Sequence, residues 1–131
     1  LKFWKDILAT RGLEAAAWAI LPTVLGEAYL ADNRKMLPKI VKAITSRNRP
    51  ESLLAHFEAV LSYPPPLLPL KNSGLPIMVM SGAQDPLAPP EDARILAAQV
   101  GGSHVLLNDV GHTIQIEAPD RFNHELQTFL G

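Results

Sequence analysis

Apolar residues in the first half of the chain recur at helical spacing. Residues 34–48 place one apolar stripe along a helix, in which Pro38 is tolerated only near the first turn. Another helix is expected to start at Pro50, and an earlier helical stretch should break near Gly12 and end at Pro22. The residues of the stripe in 34–48 are Met36, Leu37, Ile40, Val41 and Ile44. The pattern predicts about four short helices with no strand between them.

The second half changes to short, continuous apolar runs. Residues 77–80 and 105–107 are apolar at successive positions, which is typical of parallel strands covered on both faces. Between them, Pro89-Pro90 should open a helix that Gly101-Gly102 closes, and a last helix should run from Pro119 to Gly131. Strand, helix and strand in this order predict a parallel βαβ unit with a right-handed crossover.

The two halves meet at a proline-rich stretch. Tyr63–Pro66 should run extended as polyproline II, because three successive prolines fit neither a helix nor a central strand. We therefore divide the chain into a helical region, residues 1–66, and a βαβα segment, residues 67–131, within the α/β fold class. Two parallel strands do not form an independently stable sheet, so we expect more chain or a second copy to pair with them.

Composition and charge exclude several classes of function. The chain has 12 basic and 13 acidic side chains, so it lacks the positive excess that nucleic-acid binding requires. With no cysteine, it has neither disulfides nor thiolate zinc sites nor a thiol nucleophile. No apolar run approaches the ~18 residues that span a bilayer, and Glu14 and Pro22 interrupt the one stretch that resembles a signal peptide. We expect a cytoplasmic protein without nucleic-acid or membrane partners.

Candidate chemistry lies in the two loops that follow the predicted strands. In an open parallel sheet, functional residues gather beyond the carboxyl ends of the strands. Asp85 follows the first strand and His112 the second, so we expect them within hydrogen-bond reach, where the aspartate would orient the imidazole. Asp109 is a rival acid, although its position suits a turn, and an Asp-Pro or Gly-His pair is also ordinary in loops. His56, His104 and His124 are interpreted as surface residues.

The same residues carry a resemblance to a known family. Residues 75–130 resemble the C-terminal segment of α/β-hydrolase-fold enzymes: a strand ending in Gly82–Asp85, a strand ending in Gly111-His112, and a helix start at Glu117–Pro119. The helical first half is similar to the cap that precedes this segment in esterases, enol-lactonases and related serine hydrolases. The resemblance implies that Asp85 is the acid and His112 the base of a catalytic triad, with no cofactor and no metal.

The sequence also departs from the family at the nucleophile. The family uses a serine in a G-x-S-x-G turn that precedes the acid and the histidine. No serine here lies in such a turn, and Ser103, the nearest, has Val105 in place of the second glycine. The serines are Ser46, Ser52, Ser62, Ser73, Ser81 and Ser103.

Two functional hypotheses follow from this departure. The first is the C-terminal half of a serine hydrolase for small acyl substrates such as esters or lactones, inactive until an N-terminal half supplies the nucleophile. The alternative is a non-catalytic module that self-associates, as a homodimer, through its exposed sheet edge. The two differ in what pairs with the sheet.

Overall fold

The fold comes from a computed structural model that describes residues 1–63 and 67–131. The predicted polyproline stretch falls on Pro64–Pro66, which lie outside the described residues. The elements, in chain order, are α1 (Lys2–Val24), α2 (Glu27–Asp32), α3 (Leu37–Arg47), α4 (Pro50–Ser62), α5 (Leu67–Lys71), β1 (Met78–Gly82), α6 (Pro90–Val100), β2 (Ser103–Leu107), α7 (Ile114–Glu117) and α8 (Pro119–Leu130).

The chain forms two compact units. The first comprises Leu1–Pro22 and Asp32–Pro65, and the second comprises Thr23–Ala31 and Pro66–Gly131. Thr23–Ala31 belongs to the second unit, although it precedes the predicted boundary at residue 66. Interpretation of residues 1–66 as a cap stays a prediction.

The first unit is built from helices, as the apolar spacing predicted. Gly12 interrupts α1 with a φ of 82°, so the predicted break at this residue is confirmed. The predicted end at Pro22 was wrong, because α1 continues through Pro22 to Val24. Pro38 lies in the first turn of α3, where its missing N–H has no helical partner to lose. Trp4 is buried and its ring centroid lies 6.1 Å from that of Phe57 in α4. The other buried apolar residues of this unit are Leu8, Ala16, Ala17, Leu21 and Val41.

The second unit contains the predicted βαβ arrangement. Within the described residues, β1 and β2 form a two-stranded parallel sheet in which Met80 pairs with Val105 and Gly82 with Leu107. Helix α6 connects the strands, and Gly101, with a φ of 73°, follows its last residue. The Gly101 N–H donates to the carbonyl of Ala98 and the Gly102 N–H to that of Ala97, which closes the helix in a Schellman motif. The parallel βαβ unit predicted from the sequence is confirmed.

The two faces of this sheet are covered unequally. One side of the strands packs into a core in which Leu107, Val110 and Ala118 are buried. The other side leaves Leu106 45% exposed, and Val79 is only half-buried. Within the described residues the predicted cover is complete on one face only, and what would cover the other face stays a prediction. The strands therefore carry apolar side chains that the described residues do not bury.

Membrane insertion finds no support among residues 1–63 and 67–131. The longest helix, α1, has 23 residues but carries charged side chains along its first half. No described helix combines the length and apolarity needed to cross a bilayer.

Candidate active site

Asp85 lies in the turn that follows β1 and is 6% exposed. One carboxylate oxygen, Oδ1, accepts the backbone N–H groups of Leu87 at 2.8 Å and Ala88 at 3.0 Å. This is the local turn that an aspartate before a proline favours, and it satisfies half of a buried carboxylate. The second oxygen, Oδ2, is thereby held in one direction.

His112 meets this second oxygen from the loop that follows β2. Its Nδ1 lies 2.8 Å from Oδ2 of Asp85, and its side chain is 44% exposed. An ionised carboxylate can only accept hydrogen bonds, so Nδ1 donates its proton and Nε2 becomes the acceptor. The structure therefore brings together the two residues that the sequence predicted to meet, 27 positions apart. This geometry is compatible with a catalytic role of the pair.

The loop that carries His112 is fixed by its backbone. The N–H groups of His112 and Thr113 both lie 3.1 Å from the carbonyl oxygen of Val24, and they donate to it. The carboxylate of Glu117 accepts the N–H of Gly111 at 2.9 Å and the N–H of Thr113 at 3.1 Å. Three successive backbone donors around the imidazole are therefore engaged, which restricts the direction of the ring.

Two glycines allow the loops to approach this closely. A Cβ on Gly82, at the end of β1, would lie 2.0 Å from the carbonyl oxygen of Gly111 and 2.4 Å from that of Val110. A Cβ on Gly111 would lie 2.5 Å from the backbone nitrogen of Gly26. Real side chains do not occupy such distances, so these positions require glycine for close packing. The Gly-x-x-Asp and Gly-His patterns thus place backbone against backbone beneath the Asp85–His112 pair.

Four other candidates from the sequence are exposed. Asp109, the rival acid, has a positive φ of 59° in the turn after β2 and is exposed, which suits a turn residue. His56 and His124 are exposed, as expected. Ser103 is exposed at the start of β2, at the opposite strand end from the loops that carry Asp85 and His112.

The expectation for His104 was wrong. Its Nε2 lies 2.8 Å from Oγ of Ser81, a residue of β1 that is 5% exposed. The imidazole itself is half-buried beside the neighbouring strand. The contact supplies a partner for a buried hydroxyl, which would otherwise be costly to bury. Sequence periodicity does not reveal it, because it depends on the register of two strands.

Sequence reasoning also missed the segment that supports the His112 loop. Val24 and Gly26 contact this loop from about 90 positions upstream. Gln84 contributes as well, since its Oε1 accepts the N–H of Glu27 at 2.8 Å. The sequence analysis named Glu117 only as part of the helix start at Glu117–Pro119, and it predicted no contact between this residue and the His112 loop.

Comparison with known proteins places this arrangement in context. No family model matches the chain. A 61-residue stretch, 47% of the chain, is 28% identical to 3-oxoadipate enol-lactonase 2 of Acinetobacter baylyi and covers 23% of that protein.

Solved structures give a fuller match. The enol-lactonase of Burkholderia xenovorans superposes with a TM-score of 0.83 at 25% identity, over 98% of this chain and 49% of its own. An esterase from Thermogutta terrifontis gives 0.81 at 22% identity, over 98% and 47%. Est816, described as an N-acyl homoserine lactone degrading enzyme, gives 0.71 at 23% identity, over 96% and 50%.

These matches confirm the resemblance to α/β-hydrolase-fold enzymes. The matches to solved structures cover 96–98% of this chain, yet the chain spans about half the length of the solved structures and about a quarter of the curated relative. Within that span lie both loops that carry Asp85 and His112.

Proposed function

We propose that this chain is the acid-and-histidine half of a serine hydrolase that cleaves small esters or lactones. The observation that carries the proposal is the 2.8 Å contact between Asp85 Oδ2 and His112 Nδ1 at the carboxyl ends of two paired strands. The fold of the chain supports it, because it matches half of an enol-lactonase, an esterase and a lactone-degrading enzyme. The substrates of these three proteins share an acyl–oxygen bond.

The proposed chemistry assigns one task to each residue of the pair. Nε2 of His112 takes the proton of a serine hydroxyl as the serine oxygen attacks the acyl carbon. The imidazolium then gives this proton to the leaving oxygen when the acyl–oxygen bond breaks. In the second half-reaction Nε2 takes a proton from water as the water oxygen attacks the acyl carbon. The bond between this carbon and the serine oxygen then breaks, the carboxylic acid leaves, and the imidazolium returns the proton to the serine oxygen. Asp85 holds the ring in the Nδ1–H tautomer and stabilises the imidazolium throughout.

The nucleophile would come from the part of the fold that the chain does not span. In this family the serine precedes the acid and the histidine in sequence. The same missing part would supply strands for the free edges of β1 and β2 and cover the exposed face at Leu106. We propose that the sheet pairs with the preceding half of a hydrolase, joined to this chain or separate from it. The chain alone is expected to be inactive, and a cytoplasmic location stays a prediction from the sequence.

A chimera tests this proposal directly. The part of the Burkholderia enol-lactonase that precedes the matched region is joined to residues 1–131, and turnover of p-nitrophenyl acetate and labelling by a fluorophosphonate are measured. The control chimeras carry His112→Ala, Asp85→Asn and the surface change His124→Ala. All are checked for folding by circular dichroism and gel filtration.

The expected result is labelling and turnover in the chimera and in His124→Ala. Loss of the base should lower kcat by about 10⁴-fold or more, and Asp85→Asn by about 10⁴-fold, because the wrong tautomer is then favoured. A folded chimera that turns over substrate equally with and without His112 would refute the proposal.

The alternative function, self-association without catalysis, rests on the same free edges. A second copy could pair with the unpaired side of either strand. Light scattering of the chain at low concentration separates the two: a tight dimer that the preceding half of a hydrolase does not dissociate favours the alternative. A chain that exchanges its own copy for that half favours the hydrolase.

A further inference from the structure

The side chain of Glu117 gathers backbone donors from two distant parts of the second unit. Its Oε2 accepts the N–H of Gly26 at 2.6 Å and the N–H of Gly111 at 2.9 Å. Its Oε1 accepts the N–H of Thr113 at 3.1 Å and the Thr113 hydroxyl at 2.9 Å. Hydrogen bonds to a charged acceptor are about twice as strong as neutral ones. One carboxylate thus joins the 24–26 segment to the loop that carries His112.

The donors lie on both sides of His112. Gly111 and Thr113 flank the imidazole-bearing residue, and both are bonded to Glu117. The N–H of His112 itself donates to the carbonyl of Val24, and the Thr113 hydroxyl lies 3.2 Å from the same oxygen. The backbone on each side of His112 is therefore attached to one rigid point, and the direction of its side chain follows from that attachment.

Two glycines pack closely against the carboxylate. A Cβ on Gly26 would lie 2.8 Å from Oε2 of Glu117 and 2.9 Å from the Gly111 nitrogen. A Cβ on Gly111 would lie 3.1 Å from Oε1. Glu117 ends α7, the four-residue helix that returns the chain beneath the loop before α8 starts. The carboxylate therefore fills the space that the two glycines leave.

We infer that Glu117 is a positioning residue for His112. The four hydrogen bonds described above all come to Glu117 from backbone N–H groups or the Thr113 hydroxyl. The imidazole itself bonds to Asp85. Glu117 therefore acts on the ring through the backbone of the loop. A misplacement of about 1 Å at a reacting group can cost about a hundredfold in rate. This inference rests on the proposed function for its catalytic meaning, but its structural content belongs to the chain alone.

Nuclear magnetic resonance of the 131-residue chain provides the test. The variants are Glu117→Ala and Glu117→Gln, and the control Glu125→Gln removes a carboxylate from α8. The measured quantities are the exchange rate with water of the Nδ1 proton of His112, its ring chemical shifts, and amide exchange in β1 and β2. The Gln variant keeps the size of the side chain and one acceptor oxygen, so it serves if the Ala variant does not fold.

The expected result is local. In Glu117→Ala the Nδ1 proton should exchange about tenfold faster or more, as for loss of a charge-assisted hydrogen bond, with a smaller effect in Glu117→Gln. Amide exchange in the strands of the Glu117 variants, and the His112 signals of Glu125→Gln, should stay as in the wild type. Unchanged exchange of the Nδ1 proton in a folded Glu117 variant would overturn the inference. Equal acceleration in the strands and at His112 would also overturn it, because the role would then be structural only.

The two proposals fail separately. A chimera without His112-dependent turnover would refute the hydrolase function and leave the exchange result intact. Unchanged exchange in the Glu117 variants, alongside an active chimera, would remove only the positioning role. In the active chimera, Glu117→Gln is expected to lower kcat with little change in KM.

Discussion

Replacement of Gly82 by alanine tests whether the loop geometry sets the position of His112. The new Cβ would lie 2.0 Å from the carbonyl oxygen of Gly111 and 2.4 Å from that of Val110. An ordinary carbon–oxygen contact is about 3.3 Å, so the loop must retreat by about 1.3 Å from the end of β1. The hydrogen bond from the Gln84 N–H to the Val110 carbonyl, 2.8 Å long, lies at this contact and would break.

The cost follows from these two effects. Overpacking against backbone costs about 1–3 kcal/mol, and leaving the carbonyl of the buried Val110 without this partner costs about 1–3 kcal/mol more. We therefore expect Gly82→Ala to lower the free energy of unfolding by about 2–6 kcal/mol and to change the ring signals of His112. Gly74→Ala is the control, since Gly74 has a positive φ of 71° but open space around it, and only the backbone penalty of about 1–2 kcal/mol applies.

Urea unfolding and carbon–proton spectra of the imidazoles measure both quantities. If Gly82→Ala proves unfolded without urea, sucrose or trimethylamine oxide restores enough folded chain for the spectra. The reasoning is refuted if the two variants lose the same stability and the His112 ring signals of Gly82→Ala match the wild type. In that case the close approach at Gly82 would not govern the loop.

Three further predictions concern the rest of the chain. His104→Ala should cost about 1–3 kcal/mol because it leaves the buried Ser81 hydroxyl unpartnered, and Ser81→Ala should be nearly neutral in that background; additive costs in the double-mutant cycle would contradict the coupling. A hydrogen bond from Arg94 lowers the pKa of Glu91 from its ordinary value of 4.5. The ion pair therefore adds a small stabilisation to the folded chain at pH values above 4.5, and this stabilisation is lost as the pH falls through the lowered pKa. Unfolding curves of wild type and Glu91→Gln should therefore converge at low pH and also at high salt, and a gap that persists there would exclude the pair as its cause. Trp4→Ala should cost about 3–5 kcal/mol in the first unit, where Trp4 is 6% exposed, and a loss below about 1 kcal/mol would contradict its place in the core.

Local sequence signals predicted both strands, the longer helices and the acid–histidine pair, but not the short helices α2, α5 and α7. Pro50, Pro90 and Pro119 each lie in the first turn of a helix, because a proline there loses no hydrogen bond. The meeting of Asp85 and His112 follows from topology alone, since the carboxyl ends of adjacent parallel strands share one edge. The helix starts depend on residues close in sequence, and the meeting of the acid and the histidine depends on the topology of a parallel sheet.

The parts that sequence reasoning missed depend on distant contacts. The bond between Gly26 and Glu117 joins residues 91 positions apart, and no periodicity marks either partner. The Ser81–His104 contact depends on which residues of two strands lie side by side, and apolar runs of this kind do not fix that register. The requirement for glycine at position 82 likewise comes from a loop beyond the next strand.

The tautomer of His112 tests the central claim most directly. Long-range nitrogen–proton spectra of the chain, at a pH where the imidazole is neutral, report which ring nitrogen carries the proton. The 2.8 Å contact with Oδ2 of Asp85 predicts a proton on Nδ1 and none on Nε2, whereas imidazoles free in water favour the proton on Nε2. Asp85→Asn should return His112 to the Nε2–H form. A folded wild-type chain with its proton on Nε2 would contradict the claim that this chain carries an oriented acid–base pair.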